Sequence, residues 1–176
     1  MDGALAESYF YAVSSVLDAV SRDESDLEGI LDEIVSLAAQ LTGAKGSTIR
    51  VLDSETFSLE LRASYGLSQE YLESGAIDFG KSVTEIKSGS MLIATDLASD
   101  TRVQNLPAAE REGLKAVIGM PFMVSRKSYC VLRVYFSSKK TPAPHEMDLL
   151  RSLGQLCCLA IRGRVRRTEE QLLESP

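Results

Sequence analysis

The chain has 176 residues, 44% of them hydrophobic and 25% charged, which is enough for one well-packed core and too little for two ordinary domains. Its formal net charge of -6, with Asp18, Asp23, Glu24, Asp26, Glu28, Asp32 and Glu33 gathered near the N-terminus, disfavours phosphate backbones and argues against nucleic acid as a direct partner. No Lys or Arg precedes Arg22, and Glu7 interrupts the early apolar stretch, so we expect neither a signal peptide nor a membrane span, and a cytoplasmic protein.

Leu5, Tyr9, Ala12, Val13, Val16 and Val20 recur at helical spacing and predict a first helix, ended by the polar run Ser21 to Ser25. Asp26 is placed to cap a second helix, whose apolar stripe of Leu27, Ile30, Leu31, Ile34, Leu37, Ala38 and Leu41 stops at Thr42-Gly43. Strands are predicted at Ser47 to Leu52 and Phe57 to Ser64. In the second, Phe57, Leu59, Leu61 and Ala63 alternate with Ser58, Glu60, Arg62 and Ser64, so one face is expected to be buried and the other polar. Single helical turns are expected at Gln69 to Ser74 and Ser82 to Lys87, then a strand at Met91 to Thr95. A polar loop from Asp96 leads to a short helix over Pro107 to Glu112, with proline at a permitted first-turn position.

An apolar hairpin follows, Ala116 to Val124 and Tyr129 to Phe136 around Ser125-Arg126-Lys127-Ser128. Pro121 removes a backbone donor from its first arm, which predicts a local edge or a bulge there. Pro142 and Pro144 introduce a last helix carrying Leu149, Leu150, Leu153, Leu156, Cys157, Ala160, Ile161, Val165 and Leu172. Its stripe thins beyond Ile161, so its end is expected to project. Arg162, Arg164, Arg166 and Arg167, followed by Glu169, Glu170 and Glu174, read as a solvated helix face. The leftover stripe of Ile161, Val165, Thr168 and Leu172 has no cover within the chain, which favours a homodimer over a frayed terminus.

Several short stretches, in this order, carry a family resemblance: Leu41-Thr42-Gly43-Ala44, Ala63-Ser64-Tyr65-Gly66-Leu67, Thr95-Asp96-Leu97 with Asp100-Thr101-Arg102, Gly119-Met120-Pro121, and Val131-Leu132-Arg133-Val134-Tyr135-Phe136. From about Leu27 to Ile161 the chain resembles a GAF domain. The resemblance implies an α+β, GAF/PAS-like fold: an antiparallel sheet of about five or six strands, terminal helices on one face, and ligand-pocket loops and short helices on the other. Residues 25–162 would form the domain, 1–24 an N-terminal helical extension for dimerisation or signalling, and 163–176 the projecting helix end. The implied function is a regulatory, signal-transducing sensor that binds a small molecule under a roof of residues 77–113 and relays binding through its terminal helices to a downstream signalling protein or output domain. A ligand-free dimerisation or interaction module is the alternative.

The residues narrow the ligand. None of the three cysteines, Cys130, Cys157 and Cys158, lies in the roof, which argues against covalent bilin attachment and against the family's methionine sulfoxide reductases; all three read as buried free thiols. His145, the single histidine, starts the last helix, where a capping or solvent-facing role is expected rather than haem ligation. No nucleophile and base arrangement or phosphate-binding glycine loop is present, so we expect no enzyme activity and no metal, and no particular cofactor is implied.

Alternation in the last strand puts Cys130, Leu132, Val134 and Phe136 on the helix-covered face, and Tyr129, Val131, Arg133 and Tyr135 on the other. If the strands neighbour one another as in the family, Arg50, Arg62 and Arg133 converge on the pocket side. Such a cluster suits an anionic effector, or is satisfied by Glu60 and tyrosine hydroxyls on a wet sheet surface. Asp96 fixes the roof loop or contacts ligand, with Arg102 able to pair with it. Ser82 caps a helical turn or, with Thr84, offers hydroxyls to ligand. Phe79, Ile93, Met120 and Tyr135 complete the candidate pocket that the resemblance implies.

Overall fold

The computed structural model describes residues 2–22, 26–52, 59–74, 89–101, 106–125 and 128–174. The expected helical turn at Ser82 to Lys87 and the start of the second strand at Phe57 lie outside these residues. Helix α1 runs over Gly3–Val20 and α2 over Leu27–Thr42, where the apolar stripes put them. Asp26 holds the N-cap position of α2, but its side chain makes no capping hydrogen bond. Strands β1 (Gly46–Leu52), β2 (Leu59–Tyr65), β3 (Leu92–Ala94), β4 (Ala116–Met123) and β5 (Tyr129–Phe136) form a five-stranded sheet in the order β2-β1-β5-β4-β3, antiparallel throughout. Two short helices, α3 (Gln69–Glu73) and α4 (Leu106–Arg111), and the long α5 (Pro144–Glu174) complete the described elements.

The central strand β5 separates two cores. Its Cys130, Leu132, Val134 and Phe136 pack with Val16, Leu31, Ile34, Leu150 and Leu153 of the long helices. Each fully buried aliphatic side chain there contributes about 1.5–3 kcal/mol relative to exposure. Across the sheet, Tyr135 and Val117 pack with Tyr71, Ala94, Leu97, Ala108, Ala109 and Leu114 beneath α3, α4 and the adjoining loops. A smaller group of Leu52, Leu59 and Val131 adjoins it. The fold is therefore α+β with helices on both sides of the sheet. No helix among the described residues is long and apolar enough to cross a membrane.

Pro121 falls where its missing donor does least harm: it lies opposite Val131 of β5, and β3 pairs only with Val117 to Gly119, so Pro121 stands beyond the end of β3. The entry to α5 is built by a carboxylate that caps backward. Pro144 opens the helix, and Glu146 turns back so that its Oε2 accepts the Ala143 amide at 2.7 Å while Oε1 accepts Lys140 Nζ at 2.6 Å. Lys140 also donates its amide to Thr95 O, tying this entry to the end of β3. His145 is half-buried, and its ring packs on Tyr9 of α1 at 6.0 Å between centroids. Arg162 is exposed, as expected of a solvated helix face, and also donates through Nε and Nη2 to the carbonyls of Val124 and Met123 at the end of β4.

Helix α5 lies directly on the Phe122 ring at Gly154. A Cβ there would stand 2.1 Å from Phe122 Cε2 and Cζ, far inside contact distance. Gly154→Ala therefore reverses the usual helix-propensity gain of about 1 kcal/mol and destabilises the fold by about 1–3 kcal/mol. Urea unfolding of the two proteins checks both sign and size.

Candidate functional site

The face of the sheet opposite the long helices presents Thr48 and Arg50 from β1 and Arg133 and Tyr135 from β5. Antiparallel register sets Thr48 opposite Arg133 and Arg50 opposite Val131, so the two arginines lie diagonally across adjacent strands. Arg133 is 5% exposed, and its side chain lies flat along the sheet over Gly119, its partner on β4. A Cβ at residue 119 would meet Arg133 Cγ at 3.3 Å, so glycine leaves the room in which the guanidinium stem rests. Thr48 Oγ1 and the Tyr135 hydroxyl are 3.4 Å apart, and the Tyr71 ring from α3 meets the Tyr135 ring edge-on at 5.8 Å between centroids.

Arg50 fastens α3 to this floor: Nη1 donates to Leu59 O and Nη2 to Leu72 O, each at 3.2 Å. Its pKa is lowered, chiefly by burial, with the like charge of Arg133 adding to that and the Tyr135 and Tyr71 hydroxyls opposing it. Burial raises the pKa of Tyr71, and neighbouring Tyr135 adds to the rise, so the Tyr71 phenol is a neutral donor at physiological pH. The arrangement is a largely buried cluster of two guanidinium groups and two phenol hydroxyls, a chemistry that suits negative charge.

Beside it, Glu112 closes the layer. Its Oε1 accepts Lys45 Nζ at 3.0 Å and the Ser68 amide at 3.1 Å, its Oε2 accepts the Ser68 hydroxyl, and Lys45 also donates to the Glu112 carbonyl. Burial pushes its pKa up, but the Ser68 and Lys45 hydrogen bonds outweigh that and the net shift is downward. A cleft of about 230 Å³ opens between α3 and α4 past Glu112, Ser68, Arg111 and Tyr71, so Tyr71 belongs both to this cleft and to the arginine platform.

Of the residues expected at the pocket, Arg50, Arg133 and Tyr135 are brought together. Arg62 is not: its Nη2 bonds Glu28 Oε1 of α2 at 2.8 Å, on the long-helix side. The reason is a bulge, since Ile49 pairs with Ala63 but Arg50 pairs with Leu61, which leaves Arg62 unopposed and breaks the alternation. Ile93 and Met120 also face the long helices, Ile93 opposite Ile118 and Met120 opposite Leu132, both packed with the helix-side core. Asp96 takes the loop-fixing role: Oδ1 accepts the Ala98 amide at 3.2 Å and Oδ2 pairs with Lys139 Nζ at 2.5 Å, and the hydrogen bond from Lys139 holds its carboxyl below the usual range. Phe79, Ser82, Thr84 and Arg102 lie outside the described residues. Thr48, Tyr71 and Glu112 were not anticipated. Thr48 shares the face of Arg50 by simple alternation, whereas Glu112 carries no local signal, because its partners are distant in the chain. No group of three or more His, Cys, Asp or Glu among the described residues could hold a metal ion.

The sequence model of the GAF domain matches residues 24–162, and the chain belongs to that family. No curated protein matches it in sequence. Among solved structures, the GAF domain of a phosphoenolpyruvate-protein phosphotransferase from Coxiella burnetii superposes with a TM-score of 0.72 at 15% identity, over 93% of this chain and 98% of that one. The corresponding domain from Acinetobacter gives 0.69 at 18% identity, over 94% and 97%. The phycoerythrobilin-bound GAF domain of a cyanobacterial phytochrome gives 0.71 at 11% identity, over 91% and 97%. These similarities establish the fold.

The Glu112 contacts make a pH prediction. Its carboxyl has a lower pKa folded than unfolded, so its stabilising contribution is present above the unfolded value of about 4.3 and is lost as pH falls through the folded value. Urea midpoints measured downward from neutral pH should fall more steeply through the acid range for the wild type than for Glu112→Gln. Near neutral pH the substitution should cost about 1–3 kcal/mol, from the charged hydrogen bonds it weakens.

Proposed function

We propose that this GAF domain is a regulatory sensor for an anionic small molecule, bound against Arg50, Arg133, Thr48 and Tyr135 under a roof drawn from residues 77–113. GAF domains are sensory and regulatory modules, and the fold provides a layer of short helices and loops above this part of the sheet. The observation that carries the reading is the convergence of two arginines on a largely buried floor, close enough for Arg133 to depress the Arg50 pKa. An anion seated between them relieves that repulsion and replaces the water each guanidinium gives up. Binding shifts the roof between alternative packings, and the terminal helices pass the shift to a downstream protein or output domain. The roles of the platform residues are recognition, with no part in bond making or breaking.

Thermal unfolding against inorganic phosphate, dicarboxylates and cyclic mononucleotides, with chloride at matched ionic strength as the control, tests the reading. At least one anion should raise the midpoint saturably, and Arg133→Gln should weaken that ligand about 10–100-fold, as expected for loss of a charged hydrogen bond worth about 1.5–3 kcal/mol. Equal midpoints in all anions at matched ionic strength would reject it.

A second reading, compatible with the first, is that the chain is a homodimer. Phe10, Tyr11 and Leu17 of α1 are 68%, 62% and 47% exposed, and Leu159 and Val165 of α5 are 48% and 52% exposed. These helices would pair with a second copy. Native mass spectrometry should report a dimer that Leu17→Glu and Leu159→Glu together convert to monomer; a monomeric wild type at micromolar concentration would exclude it.

A further inference from the structure

Three cysteines meet where α5 lies on the central strand. Cys130 of β5 and Cys158 of α5 bring their Sγ atoms to 3.2 Å, and Cys157 is buried beside them. That separation is about 1 Å longer than the ~2.05 Å bond of a disulfide. The two sulfurs differ in access. Cys158 forms part of the wall of a cleft of about 350 Å³, with Phe122, Met123, Gln155, Leu159 and Arg162, whereas Cys130 is 1% exposed behind it. A small polar oxidant entering the cleft meets Cys158 first and Cys130 only through it.

We propose that Cys130 and Cys158 form a reversible disulfide in response to hydrogen peroxide, fastening α5 to the central strand. The Cys158 thiolate attacks one peroxide oxygen; the O–O bond breaks, the departing hydroxide takes up a proton as water, and Cys158 becomes a sulfenic acid. The Cys130 sulfur then attacks the Cys158 sulfur, the S–OH bond breaks, and the Cys130 proton leaves with the hydroxyl as a second water. The thiol pair gives up two electrons and two protons, and the peroxide is reduced to water. A dithiol reductant reverses the bond by exchange.

The surroundings set the character of the step. The hydrogen bond with Cys130 and burial push the Cys158 thiol up, while Arg162, one helical turn along, works in the opposite direction. Cys130 is pushed up as well, its hydrogen bond with Cys157 foremost, so both thiols rest protonated and the oxidation is slow. Closing the bond draws α5 toward β5 next to Gly154, which already rests on the Phe122 ring. This device stands apart from the anion reading and uses none of its residues.

The test is a thiol map of the whole chain. Reductant is removed, excess hydrogen peroxide is added, remaining thiols are alkylated, and the digest is read by mass spectrometry with and without dithiothreitol. The expected product is an intramolecular link, two hydrogens lighter than the separate peptides, that joins the Cys130 peptide to the one containing Cys157 and Cys158. It should persist in Cys157→Ser, disappear in Cys158→Ser, and be reversed by dithiothreitol. Alkylated cysteines throughout, a link between chains, a link surviving Cys158→Ser, or sulfinic acid at Cys158 with Cys130 still reduced would each overturn the proposal. The wild-type map decides the matter even where a variant folds poorly.

Discussion

Burial of β5 on both faces is the constraint on which the rest of the molecule depends. From Cys130 to Phe136 every residue of the strand is buried, and seven consecutive buried positions in an antiparallel sheet require cover above and below. The long helices supply one cover and the short helices and loops the other. Since side chains alternate, the strand assigns each neighbour its role: residues in register with Leu132 and Val134 belong to the helix core, and those in register with Arg133 and Tyr135 to the opposite face. Arg133 is the strand's one charge, and it is placed where the cover is made of loops rather than of long helices.

This constraint was readable where a strand obeyed strict alternation. The apolar and mixed faces of β5 follow from Cys130, Leu132, Val134 and Phe136, and the apolar periodicity of Leu27 to Leu41 likewise defines α2. Arg62 was not readable, because a one-residue bulge between β1 and β2 reverses the phase of the strand; Leu59 ends in the pocket-side cluster and Ala63 in the helix-side core. Ile93 and Met120 were misplaced for a related reason. Facing is set by the register of β3 on β4 and of β4 on β5, and only the pairing of Gly119 with Arg133 shows that Met120 shares the side of Leu132. Glu112 was invisible because its meaning lies in Lys45 and Ser68, far away in sequence.

The two faces are held differently. On the helix side, aliphatic packing dominates, with Gly154 and Phe122 in close contact and few polar groups to satisfy. On the other, the layer is laced by directional bonds: Arg50 to the carbonyls of Leu59 and Leu72, Glu112 to Lys45 and Ser68, and Tyr71 against Tyr135. Such a layer can rearrange by exchanging partners, whereas a close-packed core resists small displacements. The arginine platform therefore sits under the more adjustable of the two covers.

The tie between Asp96 and Lys139 has a mechanical meaning. Asp96 begins the loop after β3, Lys139 and Lys140 stand just before α5, and Lys140 reaches both Thr95 O and Glu146 of the helix cap. Near the 162nd residue the same helix is gripped again, by Arg162 on the carbonyls that end β4. Helix α5 is thus a beam pinned at two separated points, with its last turns overhanging the second. Between the pins the helix is bedded in the close-packed core from Leu149 to Ile161, so the beam is clamped along that stretch and its turns beyond Arg162 extend past the clamp.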